Sequence, residues 1–370
     1  MVSPTSRAVI WSRAAGRCQY PGCNESLIGD LLSGKEDANF GFIAHIIADR
    51  ATGPRGDPIR SPLLADKPAN LLLLCYPHHK LIDVDDRDAH TEQRLLDIKA
   101  AHEERIRIVT GIAFDRASHV LRYGAKIGAQ DSLVSFGRVA LAMLPDRYPV
   151  NGNSIGIEIV GSSAQDHEDT FWETERVNLG RQFEAKIKPL IESREIAHLS
   201  VFALAPIPLL MELGRLLCDI VPADVYQLHR EPAGWRWAMD GARIQYQIDK
   251  PKNRGKAVAL KLALSATISD DRIVAALGPD VAIWGVTANA SNNDIMRHPE
   301  DLREFRRILR NVYNDIKAVH GAATTINIFP AIPVSVAVEC GRVWMPKADL
   351  PLIIYDESRG RGFVARLKIG

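Results

Sequence analysis

The sequence predicts a multidomain α/β protein, and two observations support that expectation. Cysteines and histidines cluster in the first 90 of its 370 residues, whereas from about residue 116 onward strand-like apolar runs alternate with amphipathic helical patterns. A chain of this length also exceeds what one hydrophobic core usually spans. We therefore expect a small N-terminal domain over residues 1–90, a helical linker over 91–115 and a larger α/β domain over 116–370.

Composition limits the class of protein. Hydrophobic residues make up 46% of the chain and charged residues 25%, which is typical of globular proteins in solution. The sequence contains neither an apolar run long enough to cross a bilayer nor the apolar core of a signal peptide. We therefore expect a cytoplasmic protein with no membrane partner. A net charge of +1 argues against a polyanion binder that uses its whole surface.

The N-terminal cluster contains two closely spaced pairs of soft ligands. Cys18 and Cys23 form the first pair, and Cys75 and His78 form the second. Zn²⁺ favours tetrahedral sets of thiolate and imidazole, and such paired spacing is typical of structural zinc sites. The sequence therefore predicts a structural zinc ion. The alternative interpretations are buried thiols with surface imidazoles, or a zinc-stapled module without catalysis.

Three further polar residues interleave with these pairs, in the order His45, Asn70, His79. In that order, the region from about residue 8 to 90 resembles the HNH endonuclease family, whose ββα-metal fold is often supported by a structural zinc ion. The resemblance implies that His45, on the second strand of a hairpin, is the general base and that Asn70 orients its loop. It also implies that His79, on the following helix, binds a catalytic divalent ion such as Mg²⁺, with double-stranded DNA as substrate.

One position departs from that family. Many HNH relatives carry an acidic residue or a histidine directly before the base, as a second metal ligand, whereas this chain carries Ala44. Asp83 is the predicted replacement, because it stands four residues after His79 and would share its helix face. Asp49 is a second candidate. The alternative for Asp83 is a solvated side chain within a run of acidic residues.

Three arginines lie close to the predicted base in the sequence. Arg50, Arg55 and Arg60 all follow it within a short stretch of the sequence. Clustered positive charge is what phosphate contacts require, so these side chains are predicted contacts to the DNA backbone. A solvated loop is the alternative.

The remaining chain predicts parallel strands covered by helices. The expected strands are 156–160, 199–203, 225–228, 281–286, 325–329 and 352–355, and the expected helices are 89–110, 171–192, 209–218 and 300–319.

An internal repeat is the most informative feature of this region. Residues Ser200–Pro208 lead through an apolar helix to Gly214-Arg215, and Thr325–Pro333 lead in the same way to Gly341-Arg342. Both segments follow the order strand, Pro-rich turn, helix, Gly-Arg and strand, which is typical of a duplicated unit. We therefore predict two Rossmann-like halves, over about 116–247 and 248–370.

Together with several short motifs, this repeat resembles the SAVED family, in which two CARF-like halves sense cyclic oligonucleotides. The motifs concerned are Phe202–Pro208, Gly214-Arg215, Tyr226-Gln227, Trp235-x-Trp237 and Gly341-Arg342 to Met345-Pro346-Lys347. Taken with the N-terminal domain, the resemblance implies an HNH-SAVED effector of CBASS, a bacterial antiphage system that uses cyclic oligonucleotides.

Ligands of open parallel sheets bind beyond the carboxyl ends of the strands, where turns expose backbone N–H groups. We expect prolines to stiffen those turns, aromatic rings to stack on nucleotide bases, and cations to contact phosphates. The predicted ligand-binding residues are Lys126, Phe202, Pro206, Pro208, Arg230, Trp235, Trp237, Asn289, Pro330, Lys347 and Tyr355. Core packing is the alternative for the tryptophans, and solvation is the alternative for the charged residues.

These interpretations imply a DNA endonuclease activated by a cyclic nucleotide. A cyclic di- or trinucleotide would bind the C-terminal domain, promote growth of a homo-oligomer beyond a dimer, and switch on metal-dependent cleavage of both DNA strands. Two alternatives stay open: a constitutive restriction-type HNH nuclease whose C-terminal domain reads DNA, and a non-catalytic nucleotide sensor. The lack of a basic stripe with interleaved aromatic residues over 115–370 argues against the first.

Overall fold

The structure, a computed structural model, describes residues 2–30, 35–127, 134–158, 165–358 and 360–370. The chain forms two compact units, Met1–Phe114 and Asp115–Gly370. The predicted linker over residues 91–115 is instead largely a helix of the first unit, because it buries Leu95 and Ile98 in that unit's core. None of the helices in the described residues combines the length and apolar character needed to cross a bilayer.

The first unit consists of short strands and helices around a small apolar core. Strand β1 pairs with β2, and β3 pairs with β4, both antiparallel, with bounds β1 (Ile28–Asp30), β2 (Lys35–Asn39), β3 (Phe42–His45) and β4 (Leu71–Leu74). The helices are α1 (Pro4–Ala14), α2 (Arg60–Leu64), α3 (Tyr76–Lys80) and α4 (Glu92–Thr110). Short 3₁₀ turns span Pro68–Asn70 and Phe114–Arg116, and a π-helical turn spans Leu81–Asp85.

Strand β4 is enclosed by the rest of this unit. All of its leucines are buried, in a core that includes Ile10 of α1 and Leu95 of α4. Both helices have capped N-termini, because the side chains of Ser3 and Thr91 accept hydrogen bonds from N–H groups of the first turn. The apolar run that the sequence shows at 71–74 is therefore the centre of the unit.

The second unit begins with a parallel sheet in which β5 pairs with β6, β7 and β8, and β8 pairs with β9. The strands are β5 (Ala117–Gly124), β6 (Tyr148–Pro149), β7 (Ile155–Glu158), β8 (Leu199–Leu204) and β9 (Ala223–Val225). The helices are α5 (Phe136–Ala142), α6 (Asp169–Lys186), α7 (Lys188–Glu192) and α8 (Ile207–Leu217). A small antiparallel ladder follows, formed by β10 (His229–Arg230) and β11 (Ala233–Gly234).

The rest of the unit forms a second sheet. Its strands are β12 (Tyr246–Asp249), β13 (Ala257–Ala263), β14 (Val281–Ala288), β15 (Ile326–Ala331), β16 (Leu352–Ser358) and β17 (Gly362–Ile369). Its helices are α9 (Asp270–Leu277), α10 (Pro299–His320) and α11 (Val334–Val343). The strand order is β12-β14-β13-β15-β16-β17, with β13 to β16 parallel and both edge strands antiparallel.

The predicted α/β class is confirmed, and several elements differ in detail. The expected helix over 171–192 is divided at Ile187 into α6 and α7, because Pro189 cannot continue the hydrogen bonding of the first helix. The expected strand over 225–228 ends at Val225. Of the strand expected over 156–160, residues 159 and 160 lie outside the described residues. The antiparallel edges also differ from a purely parallel sheet.

The internal repeat brings the two halves of this unit into contact. Helices α8 and α11 cross where Gly214 meets Gly341. A Cβ atom at Gly214 would lie 1.9 Å from the carbonyl oxygen of Val338, and one at Gly341 would lie 1.9 Å from that of Met211. Such a gap admits no side chain, so both positions require glycine.

At the start of each repeat, the residues that correspond in the structure are offset by two positions from those that the sequence pairs. The sequence paired Ile207-Pro208 with Ile332-Pro333, but Pro206 caps α8 and Pro333 caps α11. These two caps stand 127 residues apart, as do the two crossing glycines. The repeat therefore has one constant spacing from the cap to the helix crossing.

Candidate functional site

The cysteine and histidine pairs of the first unit converge. Cys18, Cys23, Cys75 and His78 place their ligand atoms within 4.8 Å of one another. Nδ1 of His78 lies 3.0 Å from Sγ of Cys75 and 3.7 Å from Sγ of Cys18. The Sγ atoms of Cys23 and Cys75 are 4.0 Å apart. Tetrahedral zinc with Zn–S bonds of about 2.3 Å separates sulfur ligands by about 3.8 Å, so this Cys₃His group fits a zinc ion.

Local structure positions the two pairs. Cys18 and Cys23 border the turn between α1 and β1, and this turn is attached to β4 because Gln19 exchanges two hydrogen bonds with the backbone of Leu73. Cys75 is the N-cap of α3, which places the second pair at the start of that helix. The two pairs therefore meet where the turn contacts the end of β4.

Burial dominates the electrostatics of two of these thiols, Cys18 and Cys75. It raises the pKa of the Cys18 thiol to about 12, and it also raises the pKa of Cys75. A bound cation has the opposite effect because it stabilises the thiolate. Loss of an ion from this group would therefore be accompanied by proton uptake.

Tyr20, which sequence reasoning missed, covers the imidazole of His78. The two ring centroids are 4.2 Å apart and the ring planes meet at 14°. The tyrosine hydroxyl lies 3.0 Å from Nε2 of the buried His90, whose Nδ1 donates to the carbonyl oxygen of Asp86 at 2.6 Å. Such contacts orient a metal ligand. The position of Tyr20 between Cys18 and Cys23 is the sequence feature that could have indicated this role.

His45, Asn70 and His79 lie on successive elements of the same unit. His45 ends β3, Asn70 directly precedes β4, and His79 lies on α3. The sequence placed His45 on the second strand of a hairpin, but it lies on the first strand of the β3–β4 pair. Strands β3 and β4 with helix α3 therefore form a ββα arrangement beside the Cys₃His group.

Asn70 holds the backbone that follows His45. Its buried amide accepts a hydrogen bond from the Ile47 N–H at 2.9 Å and donates to the Ile47 carbonyl at 2.8 Å. Nε2 of His45 lies 3.0 Å from the carbonyl oxygen of Ala65. Because a carbonyl can only accept, Nε2 carries the hydrogen, and Nδ1 of the neutral ring is the atom that can accept a proton.

His79 faces Asp83 and packs on Phe42. Its Nε2 lies 3.7 Å from Oδ2 of Asp83, and its ring centroid lies 5.5 Å from that of Phe42. Asp83 belongs to the π-helical turn that follows α3. Asp49, the second candidate ligand, is exposed. Within the described residues the Cys₃His group is the one cluster of three or more potential ligands, whereas His79 and Asp83 form a pair.

The prediction that the nearby arginines contact DNA needs correction at Arg55. The Arg55 side chain is 10% exposed, and it donates to Asp83 and to backbone carbonyls of the unit. Arg60 forms an ion pair with Glu92 at 2.5 Å. The Arg55 guanidinium is therefore held by acceptors within the protein, whereas Arg50 and Arg60 are both exposed.

In the second unit, a cleft of about 700 Å³ opens beyond the carboxyl end of β14. Its lining includes Arg230 from β10, Arg243, and residues Asn289, Asn292 and Arg297 from the segment after β14. Arg230 and Asn289 are predicted ligand-binding residues, and both are exposed. The position of the cleft agrees with the rule that ligands bind beyond the carboxyl ends of parallel strands.

Carboxylates hold two of the arginines at this cleft. Arg297 pairs with Asp294 at 2.5 Å, and Arg243 pairs with Asp301 at 2.7 Å. Arg230 is exposed and has no carboxylate partner in the part of the chain that the structure describes. It is therefore the cation of this cleft that is available to an anionic ligand.

Asp294 also connects the two halves of the unit. Its Oδ1 lies 3.2 Å from Nδ1 of His229, a buried residue of the first half. Burial lowers the pKa of His229, so the neutral ring donates from Nδ1 to the carboxylate. Trp237, a predicted ligand contact, is half-buried and packs edge-on against this histidine at 5.8 Å.

Several predicted aromatic contacts to the ligand belong to the core. Phe202 is fully buried, with Tyr226 stacked on it at 4.3 Å and Trp235 edge-on at 5.5 Å. Tyr355 is half-buried and stacks on Phe329 at 4.4 Å in the second half. These rings already pack against one another, which leaves the buried Phe202 and Trp235 unavailable to a nucleotide base.

The remaining predicted contacts do not line the cleft as the described residues form it. Pro206 and Pro208 are buried at the start of α8, and Pro330 is buried within β15. Lys126 is half-buried after β5, and Lys347 is exposed after α11. The prolines therefore pack the junctions between strand and helix.

A pair of glutamates that sequence reasoning missed accompanies the crossing glycines. Glu212 and Glu339 each bind the arginine three residues later, Glu212 with Arg215 at 2.6 Å and Glu339 with Arg342 at 2.9 Å. Burial raises the pKa of Glu339, and the Arg342 guanidinium opposes that rise. The repeated motif is therefore Glu-x-Gly-Arg, and its constant spacing in the sequence was the available signal.

Solved structures with low similarity include cyclic-trinucleotide complexes. The Acinetobacter baumannii Cap4 SAVED/CARF-domain containing receptor with 3′3′3′-cAAA is 9% identical, with a TM-score of 0.41 over 75% of this chain and 61% of its own. The complex of that receptor with 2′3′3′-cAAA is 8% identical, with a TM-score of 0.40 over 79% of this chain and 61% of its own. The Moraxella osloensis Cap4 SAVED/CARF-domain containing receptor is 8% identical, with a TM-score of 0.38 over 75% of this chain and 60% of its own. The chain spans about three fifths of the length of these structures.

A family match gives the stronger result. No match was found among curated proteins. Residues 179–369, just over half of the chain, match the family described as the SMODS-associated and fused to various effectors sensor domain, SAVED. This stretch contains both crossing helices, the cleft beyond β14 and the whole second sheet. The chain therefore belongs to the SAVED family.

Proposed function

We propose that this protein is a DNA endonuclease that a cyclic oligonucleotide switches on, as an effector of CBASS antiphage defence. The second unit is the sensor, and the first unit is an HNH nuclease with a structural zinc ion. One observation carries the nuclease half: His45, Asn70 and His79 occupy a ββα arrangement beside the Cys₃His group, with Asn70 bonded to the backbone after His45. Packing alone does not require this combination of a buried amide and two imidazoles.

The residues of the first unit suit phosphodiester hydrolysis. His45 takes a proton from water at Nδ1, because Nε2 donates to the Ala65 carbonyl. The hydroxide so formed attacks phosphorus while the opposite P–O bond breaks, and Asn70 keeps the peptide after His45 in place. A divalent ion bound by His79 and Asp83 would stabilise negative charge on the phosphate and the leaving oxygen.

The cleft beyond β14 is the proposed site of the cyclic oligonucleotide. Its volume of about 700 Å³ lies within the range of small-molecule pockets. Arg230 supplies a cation for a phosphate, and the side-chain amide of Asn289 offers a donor and an acceptor for the edge of a base. Asn292 already donates to the Ala290 carbonyl and accepts from the Asp294 N–H, which leaves one N–H and one lone pair for a ligand. The membership of a sensor family supports this site, and we propose a cyclic di- or trinucleotide as the ligand.

Plasmid cleavage tests the nuclease. The parent, His45→Ala and Asp88→Ala are compared with Mg²⁺ present, each with and without a panel of cyclic di- and trinucleotides. We expect the parent to cut only with an activating ligand, and His45→Ala to lose at least about 100-fold in rate, as is typical when a general base is removed. Asp88 is exposed, so Asp88→Ala is expected to cut as the parent does.

The other outcomes favour the alternatives. Cleavage by the parent without any ligand would support a constitutive restriction-type nuclease. Absence of cleavage under every ligand, with calorimetry still showing that a nucleotide binds, would support a non-catalytic sensor. Zinc content and thermal unfolding of each variant show whether the first unit remains folded.

A further inference from the structure

Arg55 turns inward from the segment between β3 and α2. Its backbone φ of +56° lies in the left-handed region, which a residue with a side chain rarely adopts. A non-glycine residue keeps such a conformation when surrounding contacts fix it. The contacts of the Arg55 side chain therefore indicate what this conformation serves.

The guanidinium of Arg55 joins the two elements that hold the predicted base and the predicted metal ligands. On β3 and the residue after it, the group donates to the carbonyl oxygens of Ile46 at 2.6 Å and His45 at 3.4 Å. On the π-helical turn it donates to the carbonyl oxygen of Ile82 at 2.8 Å and to Oδ1 of Asp83 at 2.6 Å. Arginine presents several donors in a rigid planar fork, whereas lysine cannot match this set.

The contact with Asp83 uses only one of the two carboxylate oxygens. Oδ1 accepts from Arg55, and Oδ2 is the oxygen that lies 3.7 Å from Nε2 of His79. That separation is too long for a hydrogen bond. Two ligand atoms each about 2.1 Å from a small cation lie about 3.0 to 3.4 Å apart, so a small approach would let this pair share an ion.

The π-helical turn contributes to this geometry. Asp83 lies within Leu81–Asp85, where the hydrogen bonding changes directly after α3. Turns of this kind are frequent at functional sites because they redirect a side chain without ending the helix. Asp83 therefore bonds to Arg55 through one oxygen and faces His79 with the other.

We propose that Arg55 is a positioning residue of the nuclease centre. It holds Asp83 so that Oδ2 and Nε2 of His79 together bind a divalent cation, which supplies the protein ligand that Ala44 does not. This inference rests on the proposed nuclease function and assigns Arg55 a role in place of a DNA contact.

Direct Mn²⁺ binding tests this role, because it does not depend on cleavage. Electron paramagnetic resonance measures free Mn²⁺ in titrations of the zinc-loaded full chain, for the parent and four single variants: Arg55→Lys, Arg55→Gly, Asp83→Asn and Arg87→Gln. Arg55→Lys keeps the charge without the fork, and Arg55→Gly suits the positive φ while removing the side chain. Arg87 is exposed, so Arg87→Gln is the matched control.

We expect both Arg55 variants to weaken Mn²⁺ binding by about 10- to 100-fold, the usual effect of losing a group that orients a metal ligand. Arg87→Gln should bind as the parent does. The double variant Arg55→Gly with Asp83→Asn should bind no more weakly than Asp83→Asn alone, because Arg55 acts through Asp83. The Mn²⁺ concentration that gives half-maximal DNA cleavage should shift in the same order.

Several results would overturn the proposal. Unchanged Mn²⁺ affinity in a folded Arg55 variant with a lower unfolding temperature would make Arg55 a purely structural residue, and tighter binding would make it a competitor of the ion. If the Arg55 variants do not fold, Asp83→Asn decides, since unaltered Mn²⁺ affinity there excludes Asp83 as a ligand. A parent that binds no Mn²⁺ and cuts no DNA under any ligand would refute the nuclease function itself. A parent that does both, beside unaffected Arg55 variants, would refute only the role of Arg55.

Discussion

At the scale of single residues, burial decides which form of an ionisable side chain the fold favours. Asp356, on β16, is half-buried, and burial raises the pKa of its carboxyl to about 6 although the Arg366 guanidinium opposes the rise. Arg366 also forms an ion pair with Asp169 at 2.6 Å, so its charge is shared between two carboxylates. In the folded protein the protonated form of Asp356 therefore predominates up to about pH 6.

The first residue-scale prediction follows from that pKa. Between about pH 4 and pH 6 the unfolded chain has released the proton of Asp356 and the folded chain has kept it, so the free energy of unfolding falls as pH rises. The loss should reach about 2 to 3 kcal/mol near pH 6 and remain constant above it, as expected for a shift of about two pKa units. Asp356→Asn removes this titration and should be more stable than the parent at pH 7.

Urea unfolding at a series of pH values from 4.5 to 7.5 measures this effect. The difference between Asp356→Asn and the parent should be smallest at the acidic end. Asp219 is exposed, so Asp219→Asn should follow the parent throughout. If the free energies of unfolding of Asp356→Asn and the parent change in parallel with pH, the pKa of the Asp356 carboxyl is not raised in the folded state.

Residues with a narrow range of uses could be predicted from the sequence, whereas side-chain direction could not. The residues of the Cys₃His group were predicted from spacing because thiolates and imidazoles in paired positions have few other uses. Phe202 and Trp235 were predicted to stack on a ligand, but a core and a binding surface use the same aromatic residues. Arg55 shows the same difficulty for charge, since a sequence does not reveal which carbonyls an arginine will meet.

At the scale of elements, the crossing of α8 and α11 decides how the two halves of the SAVED unit pack. Their backbones come so close that each helix has a glycine at the contact, Gly214 on one and Gly341 on the other. Each glycine is followed by an arginine and preceded by a glutamate two residues earlier, so each helix also has an internal ion pair beside the crossing. The repeated sequence motif therefore corresponds to a symmetric contact between α8 and α11.

Gly214→Ala tests this contact. The new Cβ would meet the Val338 carbonyl oxygen at 1.9 Å, which forces the helices apart. We expect a loss of about 1 to 3 kcal/mol in the free energy of unfolding, the usual cost of overpacking, or more because the obstacle is backbone. Chemical denaturation followed by circular dichroism measures it.

Gly180→Ala is the matched control for this prediction. Gly180 also lies within a helix, α6, but a Cβ there would have nothing within 4 Å. Because alanine favours the helix more than glycine, this variant should be as stable as the parent or more stable by about 0.5 to 1 kcal/mol. Equal losses in both variants would mean that the crossing does not require glycine.

Elements with strong helical periodicity or a long apolar run were predicted well, whereas a strand without either pattern was missed. The helix expected over 300–319 is α10, whose buried and charged positions alternate with helical spacing. The sequence reasoning missed β13, the strand between β14 and β15, because its three alanines and Lys261 are residues that strands disfavour. Its place in the sheet comes from its neighbours rather than from its own residues.

At the scale of the whole molecule, the proposed function requires a signal from the SAVED unit to reach the nuclease unit. A ligand can shift an equilibrium only through its preference for one state, and a shift from 1% to 99% needs a preference of about 10⁴-fold. Assembly of several chains provides such a preference if the ligand binds the assembled form more tightly. It also brings several nuclease units together, as cutting of both DNA strands requires.

The last prediction concerns this assembly. Light scattering of the full chain should show a mass that increases when the activating cyclic nucleotide is added. Arg230→Gln removes the unpaired cation of the cleft, so the same increase should need about 10- to 100-fold more ligand, in line with the loss of a hydrogen bond to a charged group. Arg254 is exposed and does not line the cleft, so Arg254→Gln should assemble as the parent does. A constant mass while the nucleotide binds and DNA is cut would exclude assembly and leave a change within one chain as the means of activation.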